Sequence, residues 1–333
     1  MNGLGKLLLS EAVSHEPSSQ PTHSLGARAA RDTRPALARY LPAMTSTWRV
    51  RGRTLSTERP LIMGIVNVTP DSFSDGGVLQ SVDDAVAHAG SLVAAGADIL
   101  DIGGESTRPH ADVVDGDEEM RRTVPVVEAL ARRFPDVPLS IDTVKSIVAR
   151  AAIDAGAHIV NDVSGLRLDT EMAPTCAERG VGVVLMHSRG GVGAMASYAH
   201  ADYAGDPMDD VLAELRERVA LALARGIDVE SIAVDPGIGF SKRSAHSLRV
   251  LASLERLAAW GYPVVVGASR KRFVGELSGV QEPAARVHGS VGAAVAAFER
   301  GARVLRVHDV AATRQALDVA DAVRRAGEAE PAR

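Results

Sequence analysis

Eight short apolar runs recur along the chain, at 61–67, 97–102, 137–142, 157–161, 181–186, 231–235, 263–267 and 302–307. A helical pattern follows each of them, at about 82–95, 117–133, 144–155, 169–179, 207–225, 244–260, 285–300 and 311–326. Runs of this length, apolar on both faces, suit fully buried parallel strands. Gly96, Gly156, Gly180, Gly226, Gly261 and Gly301 stand where helical patterns stop, the residue best able to take a left-handed turn there. Strands alternating with helices give βαβ units and a parallel sheet. Eight such units between residues 61 and 326 predict an α/β fold, a (β/α)8 TIM barrel in a single domain. An open doubly wound sheet is the competing arrangement, and periodicity alone leaves it open.

Outside that repeat the chain changes character. Residues 1–45 are rich in Ser, Pro, Arg, His and Ala, and such a composition predicts a disordered extension. Three readings compete for it: a flexible tail, a targeting segment, or a mis-assigned start with Met44 as the first residue. The lack of a compact apolar signal core favours the first or the last. Residues 46–60 read as a lead-in, a hairpin over the barrel bottom, and 327–333 as a flexible tail.

Composition then narrows the class. Apolar residues make up 46% and aromatics 3%, so the core is large and aliphatic, as in a packed barrel interior. A net charge of −5 speaks against general nucleic-acid or membrane-surface affinity. Any anion must be caught by a local cluster of cations. The single cysteine, Cys176, excludes an intrachain disulfide, fits a reducing, cytoplasmic setting, and reads as buried inside a helix. No apolar run approaches the roughly 20 residues of a membrane span.

The ends of the runs carry the functional signal. Each closes on a polar residue: Asn67, Asp101, Asp142, Asn161, His187, Asp235, Ser269 and Arg306. In a barrel these form a ring at the C-terminal mouth, where active sites of this fold sit. Carboxylates and amides there are costly unless they bond something, so the expected guest is polar, with several donors and acceptors.

The segments beyond the strands add chemistry. LIMGIVNVTPDSFSDGG (61–77) turns from buried strand to polar loop at Asn67. GASRKRF (267–273) brings three cations, and RVHD (306–309) brings Arg306 and His308, two apart and on the same side. A charge triplet alone reads as solvated. Beside Arg306 and His308, after the seventh and eighth strands, it reads as an anion site. GGESTRP (103–109) offers close backbone approach with Thr107 and Arg108 as donors, and Glu105 reads as a ligand or, the favoured reading, as a structural acid for Arg108. VDPGIGF (234–240) offers Asp235 and a glycine shelf ending in Phe240. His187 reads as a packing or hydrogen-bonding residue, and the loop 188–206 as either a lid or an insertion. No G-x-G-x-x-G, HExxH or paired-Cys pattern occurs, which speaks against a dinucleotide or a tightly held transition metal.

In this order NVTPDSFSDGG, GGESTRP, SIDT, IVNDVSG, VDPGIGF, GASRKRF and RVHDV resemble the dihydropteroate synthase family of the folate pathway, over about residues 61 to 325. The resemblance implies a (β/α)8 barrel, a homodimer through helices 285–300 and 311–326, and a transferase that needs Mg²⁺. The implied reaction condenses 6-hydroxymethyl-7,8-dihydropterin diphosphate with 4-aminobenzoate to 7,8-dihydropteroate and diphosphate. It implies a pterin pocket of Asp142, Asn161, Asp235 and Lys271, with Met186 packing on the ring. Asn67, Arg306, His308, Thr107 and Arg108 are implied to hold the diphosphate, Asn67 reaching Mg²⁺ through its oxygen. Phe240, Ser269 and the loop Thr69–Phe73 are implied to take the aminobenzoate, with Arg270 flanking. Catalysis is implied for Asp142, Lys271 and Arg108.

Two positions depart from the family pattern: His110 and Ser241, each where Gly is common. Two other functional classes compete. A pterin-dependent methyltransferase on the same barrel would not need Arg306 and His308 as a diphosphate clamp. A catalytically silent pterin-binding paralogue would be expected to lose Asn67, the STR segment or Lys271, and this chain keeps all three.

Overall fold

The computed structural model describes residues 46–68, 82–106 and 113–328. The predicted extension, the loop Thr69–Gly77, Thr107, Arg108, His110 and residues 329–333 lie outside them. A hairpin, β1 (Thr47–Val50) and β2 (Arg53–Ser56), comes first. The repeat follows: β3 (Leu61–Asn67), α1 (Val82–Ala94), β4 (Ile99–Gly103), α2 (Gly116–Arg133), β5 (Leu139–Asp142), α3 (Ser146–Ala155), β6 (Ile159–Asp162) and α4 (Met172–Arg179). It continues with β7 (Gly182–Met186), α5 (Val192–Met195), α6 (Pro207–Ala224), β8 (Ile232–Asp235), α7 (Ser244–Ala252), α8 (Glu255–Ala258), β9 (Val265–Val266), α9 (Arg272–Ser278), α10 (Val287–Glu299), β10 (Val304–Val307) and α11 (Val310–Glu328).

Strands β3 to β10 form one parallel sheet in the order β8-β7-β6-β5-β4-β3-β10-β9. Its two edges meet through a bridge between Val234 and Val264, where Val234 N donates to Pro263 O at 3.0 Å. The sheet therefore curls into the (β/α)8 barrel that the periodicity predicted, and the open sheet is excluded. All described residues belong to one compact unit, Tyr40–Arg333.

Period-two alternation divides each strand between two packing layers. Ile62 and Val66 pack outward against the helices, with Leu100, Val160 and Leu185. Gly64 lies there too: a Cβ on it would stand 3.2 Å from Leu92 and 3.3 Å from Ala97. Leu61, Met63, Ile99, Ile159, Val184, Ala233, Val265 and Val304 make a separate cluster with Trp48 and Val50. That cluster is the lower barrel interior, and the hairpin plugs it. Trp48 is 0% exposed and donates from Nε1 to Ser231 O at 3.0 Å. Arg51 donates to Ile153 O and Ala157 O, closing the end of α3.

Four details differ from expectation. The pattern 244–260 splits into α7 and α8 although no Gly or Pro marks the break. The run 263–267 keeps only two regular residues, because Pro263 has no N–H to give a neighbour and Gly267 follows. The short helices α5 and α9 stand where loops were expected; each is too short for a 3.6-residue period to emerge. The predicted tail begins at 327, but α11 runs to Glu328.

If the hairpin plugs the barrel, Trp48→Ala should cost about 3–5 kcal/mol. Urea unfolding followed by circular dichroism reads this directly. A loss below about 1 kcal/mol, the scale of a surface change, would show that the lower barrel closes without it.

Candidate active site

Above the apolar layer the barrel interior turns polar. Strand register sets Asp101 of β4 level with Ser140 of β5, and Asp142 level with both Gly103 and Asn161. Arg306 of β10 reaches across the barrel to both acids. Its Nε donates to Asp101 Oδ2 at 2.6 Å and its Nη2 to Asp142 Oδ2 at 2.7 Å. Asn161 Nδ2 donates to the same Asp101 oxygen at 3.1 Å. Four strands are thus tied by one polar knot. A guanidinium has five N–H donors in a fixed fork, so two carboxylates orient Arg306 and leave donors free on Nη1 and Nη2.

Burial dominates the electrostatics. It pushes the Asp142 carboxyl well above the usual carboxylate range, with Arg306 opposing and Asp101 adding. Burial lowers Arg306, but Asp101 and Asp142 outweigh it and hold the guanidinium above its ordinary value. Asp235 is pushed up to about 6 by burial, against a 2.7 Å hydrogen bond from Gly237 N and the charges of Lys271, Lys242 and Arg306. Lys271 is lowered to about 8 by burial, with Arg306 helping and Asp235 and Asp142 opposing. The mouth therefore holds three acids, Asp101, Asp142 and Asp235, against two cations, Arg306 and Lys271. An N–H-rich guest would relieve that imbalance.

One wall is apolar. Val144, Val163, Met186, Met195 and Phe240 form a cluster of their own at this end. The α5 turn supplies Met195 and lies over Met186 and Phe240. The ammonium of Lys271 stands 3.8 Å from the centre of the Phe240 ring, a cation–π contact. Asp235 and Phe240 are brought together by the shelf between them, which needs glycine: Gly237 has φ +68, and a Cβ there would lie 1.9 Å from His187 O.

The remaining predicted residues sit around this centre. His308 and Ser269 face each other, Ser269 Oγ 3.0 Å from His308 Nδ1. Asn67 ends β3; its Oδ1 and Asp142 Oδ2 each lie 3.9 Å from the point where a Cβ on Gly103 would stand. Arg270 takes a left-handed φ of 60° and turns from the ring to Asp309, donating at 2.6 and 3.1 Å. Predicted Thr107 and Arg108 lie outside the described residues.

Other groups brace the mouth from behind. Among the described residues Glu105 meets Lys145 Nζ at 2.8 Å and Val114 N at 2.7 Å; Arg108, its expected partner, lies outside them. Lys145 also reaches the buried Glu119 at 2.6 Å. His187 is buried between Lys242 and Glu214 and, through burial first, lowered to about 4, a neutral hydrogen-bonding residue. Ser241, where the family pattern has Gly, keeps a glycine-like φ of 48°. Its hydroxyl accepts from Arg189 N and lies 3.0 Å from Arg189 O, fastening the loop 188–206. Arg189 adds bonds to Asp202 O and Asp210 and stacks on Tyr203 at 4.4 Å.

Sequence reasoning passed over Asp101 and Lys242 as site residues. Asp101 was visible in the ring, and the cross-barrel Arg306 was the signal that made it functional. Lys242 stands in SKR, and no local pattern marks it as buried.

Comparison with known proteins agrees with this geometry. A family model described as pterin binding enzyme matches residues 63–308. The dihydropteroate synthase of Bacillus subtilis (strain 168) is 42% identical over 270 residues, 81% of this chain and 90% of that protein. The Xanthomonas albilineans dihydropteroate synthase with 4-aminobenzoic acid superposes with a TM-score of 0.77 at 47% identity, covering 86% of this chain and 100% of that one. The same enzyme in complex with 7,8-dihydropteroate gives 0.75 at 45% identity, with the same coverage.

The raised Asp235 has a stability consequence. A carboxyl at about 6 when folded and 3.8 when unfolded contributes stability below 3.8 that is lost as pH rises through 6. Asp235→Asn removes the charge and keeps an oxygen for Gly237 N. At pH 8 the variant should be the more stable by roughly 1–3 kcal/mol, with the gap shrinking at pH 5. Urea titrations at both pH values test this; a variant less stable at pH 8 would contradict it.

Proposed function

The chain belongs to the dihydropteroate synthase family of pterin-binding enzymes, and we propose that it condenses 6-hydroxymethyl-7,8-dihydropterin diphosphate with 4-aminobenzoate. The products are 7,8-dihydropteroate and diphosphate. The observation that carries the proposal is the mouth itself: three acids, two cations and an apolar wall gathered at one end of the barrel.

Each part has a counterpart in the substrates. Asp235, Asp142 and Asn161 meet the donors and acceptors of the pterin, Lys271 donates to it, and Met186 lines its face. A buried site built to bond such groups rejects analogues that lack them. Arg306 and His308, with Thr107 and Arg108 from the segment outside the described residues, take the diphosphate. Phe240 and Ser269 flank the aminobenzoate.

Asn67 fits a role toward Mg²⁺. Among the described residues its side chain makes no hydrogen bond, and its Oδ1, like Asp142 Oδ2, lies 3.9 Å from the point where a Cβ on Gly103 would stand. Those residues hold no cluster of three or more His, Cys, Asp or Glu that would enclose a metal. That suits an ion bound by one or two protein oxygens, water and substrate phosphates. When bound, Mg²⁺ would neutralise charge on the diphosphate.

The chemistry needs little more. The C–O bond to the diphosphate breaks with its electron pair leaving on oxygen, and the dihydropterin carbon becomes cationic. The arylamine nitrogen attacks that carbon and then loses a proton. The amine is neutral at pH 7, so no strong base is required. Arg306 and its neighbours stabilise the leaving anion, and Asp142 and Asp235 stabilise the cation. Holding the two reactants together can contribute about 7–11 kcal/mol in favourable systems.

Homodimer formation and a cytoplasmic setting are part of the same proposal. Val319 and Val323 on α11 and Leu277 on α9 are large, exposed apolar side chains that a second copy would cover. Among the described residues no helix is long and apolar enough to cross a membrane. Sedimentation of the purified chain as a monomer, or its recovery from a membrane fraction, would count against these.

Purified protein given dihydropterin diphosphate and Mg²⁺ should release diphosphate only when 4-aminobenzoate is added, with dihydropteroate formed in step. Lys271→Ala and Asp235→Ala should each lower that rate at least about 100-fold with the fold retained. Turnover near the parent rate in either variant would overturn the residue assignment. Pterin binding without turnover in the parent would favour a silent paralogue.

A further inference from the structure

Lys242 is the one lysine sealed inside the described structure, 2% exposed and two residues beyond Phe240 at the edge of the proposed arylamine pocket. It has no ion pair there. Its Nζ lies 3.1 Å from Gly237 O, 3.2 Å from Phe240 O and 2.8 Å from His187 Nδ1. An ammonium has three N–H donors and no acceptor, so these three partners satisfy it completely. With Nδ1 accepting from Nζ, the neutral imidazole carries its proton on Nε2, which lies 3.2 Å from Glu214 Oε2 without the geometry of a hydrogen bond. Glu214 is anchored in turn by Arg189 Nε at 2.9 Å. A chain of contacts runs from the outer helix α6 through the imidazole to the underside of the shelf.

We infer that Lys242 is a positioning residue that holds Phe240 at the aminobenzoate end of the site, with His187 and Glu214 holding Lys242. The inference rests on the synthase reading. The two ends of the shelf are fixed by different means. At the Asp235 end, Gly237 N donates to Asp235 Oδ1 at 2.7 Å and His187 N to Asp235 O at 2.9 Å. Neither bond uses Lys242. At the Phe240 end, the Phe240 carbonyl is bound by Lys242 from below, and Lys271 lies on the ring from above. Gly239 leaves no slack between them: its φ is +78, and a Cβ on it would stand 3.1 Å from Lys271 Cδ. Loss of Lys242 leaves Phe240 O without its buried donor, whereas Gly237 O still accepts from Phe240 N at 3.1 Å; relief of the Phe240 carbonyl by water requires the turn to shift at that end. That motion displaces Phe240 while Asp235 keeps both of its bonds.

The expected signature is therefore split between the substrates. Lys242→Met should raise KM for 4-aminobenzoate about tenfold or more, while kcat and the affinity for dihydropterin diphosphate change less than about threefold. His187→Leu, which removes the acceptor, should move KM for the arylamine in the same direction. His187→Gln, which keeps an oxygen for Nζ, should stay near the parent value. Steady-state kinetics with each substrate varied, and calorimetric titration with the pterin diphosphate, give these numbers. An unchanged arylamine KM in Lys242→Met, or an equal loss for both substrates, overturns the inference. If Lys242→Met fails to fold, the two His187 variants decide: equal behaviour of Leu and Gln overturns it. A parent protein with no arylamine-dependent turnover would refute the synthase reading instead, a different result.

Discussion

The guanidinium of Arg306, shared between Asp101 and Asp142 inside the barrel, is the interaction on which the upper half of the structure depends. It joins β10 to β4 and β5, and Asn161 adds β6 through Asp101. Removing one member of such a buried group leaves an uncompensated charge, at a cost of about 3–5 kcal/mol. The knot is also incomplete. Asp101 Oδ1 is buried without a hydrogen-bond partner among the described residues, and Asp142 is pushed up by its burial beside Asp101. An interior with surplus carboxylate is poorly suited to stability and well suited to a guest that brings N–H groups and developing positive charge.

The barrel divides this labour along its axis. The lower interior is aliphatic, closed by Trp48 and Val50 of the hairpin. The upper interior is charged, open to the mouth and lined on one side by Met186 and Phe240. Residues that would meet substrate are held from behind by others that would not. Lys145 ties Glu105 to Glu119, Asp309 turns Arg270 aside, Ser241 fastens the loop carrying Met195, and Lys242 supports the shelf. Groups with perturbed protonation sit on braced backbone rather than on free loops, which is how geometry is kept within catalytic tolerance.

Much of this was legible in the sequence for a physical reason. A buried parallel strand must be apolar on both faces, so its end is marked sharply by the first polar residue; Asn67, Asp142, Asn161, Asp235 and Arg306 were found that way. Their grouping followed from the fold, which puts every such end at one mouth. Partnerships across the barrel were not legible. Asp101 and Arg306 are 205 residues apart, and no local pattern encodes their contact. Lys242 carried no signal, because composition cannot show that a lysine's stem passes under a turn. Lys145, which meets Glu105, comes from the next strand's loop, and no local pattern encodes that contact either. The short α9 and the break between α7 and α8 lack a period or a breaker, so pattern alone could not place them.

The central claim is that the knot around Arg306 receives the pterin diphosphate. A crystal structure of the protein with dihydropterin diphosphate and Mg²⁺ tests it most directly. The pterin is predicted to lie against Asp142, Asn161, Asp235 and Lys271, with Arg306 donating to the diphosphate and Asn67 turned toward the metal. A ligand bound away from the barrel mouth, or a diphosphate that leaves Arg306 and His308 untouched, would contradict the account.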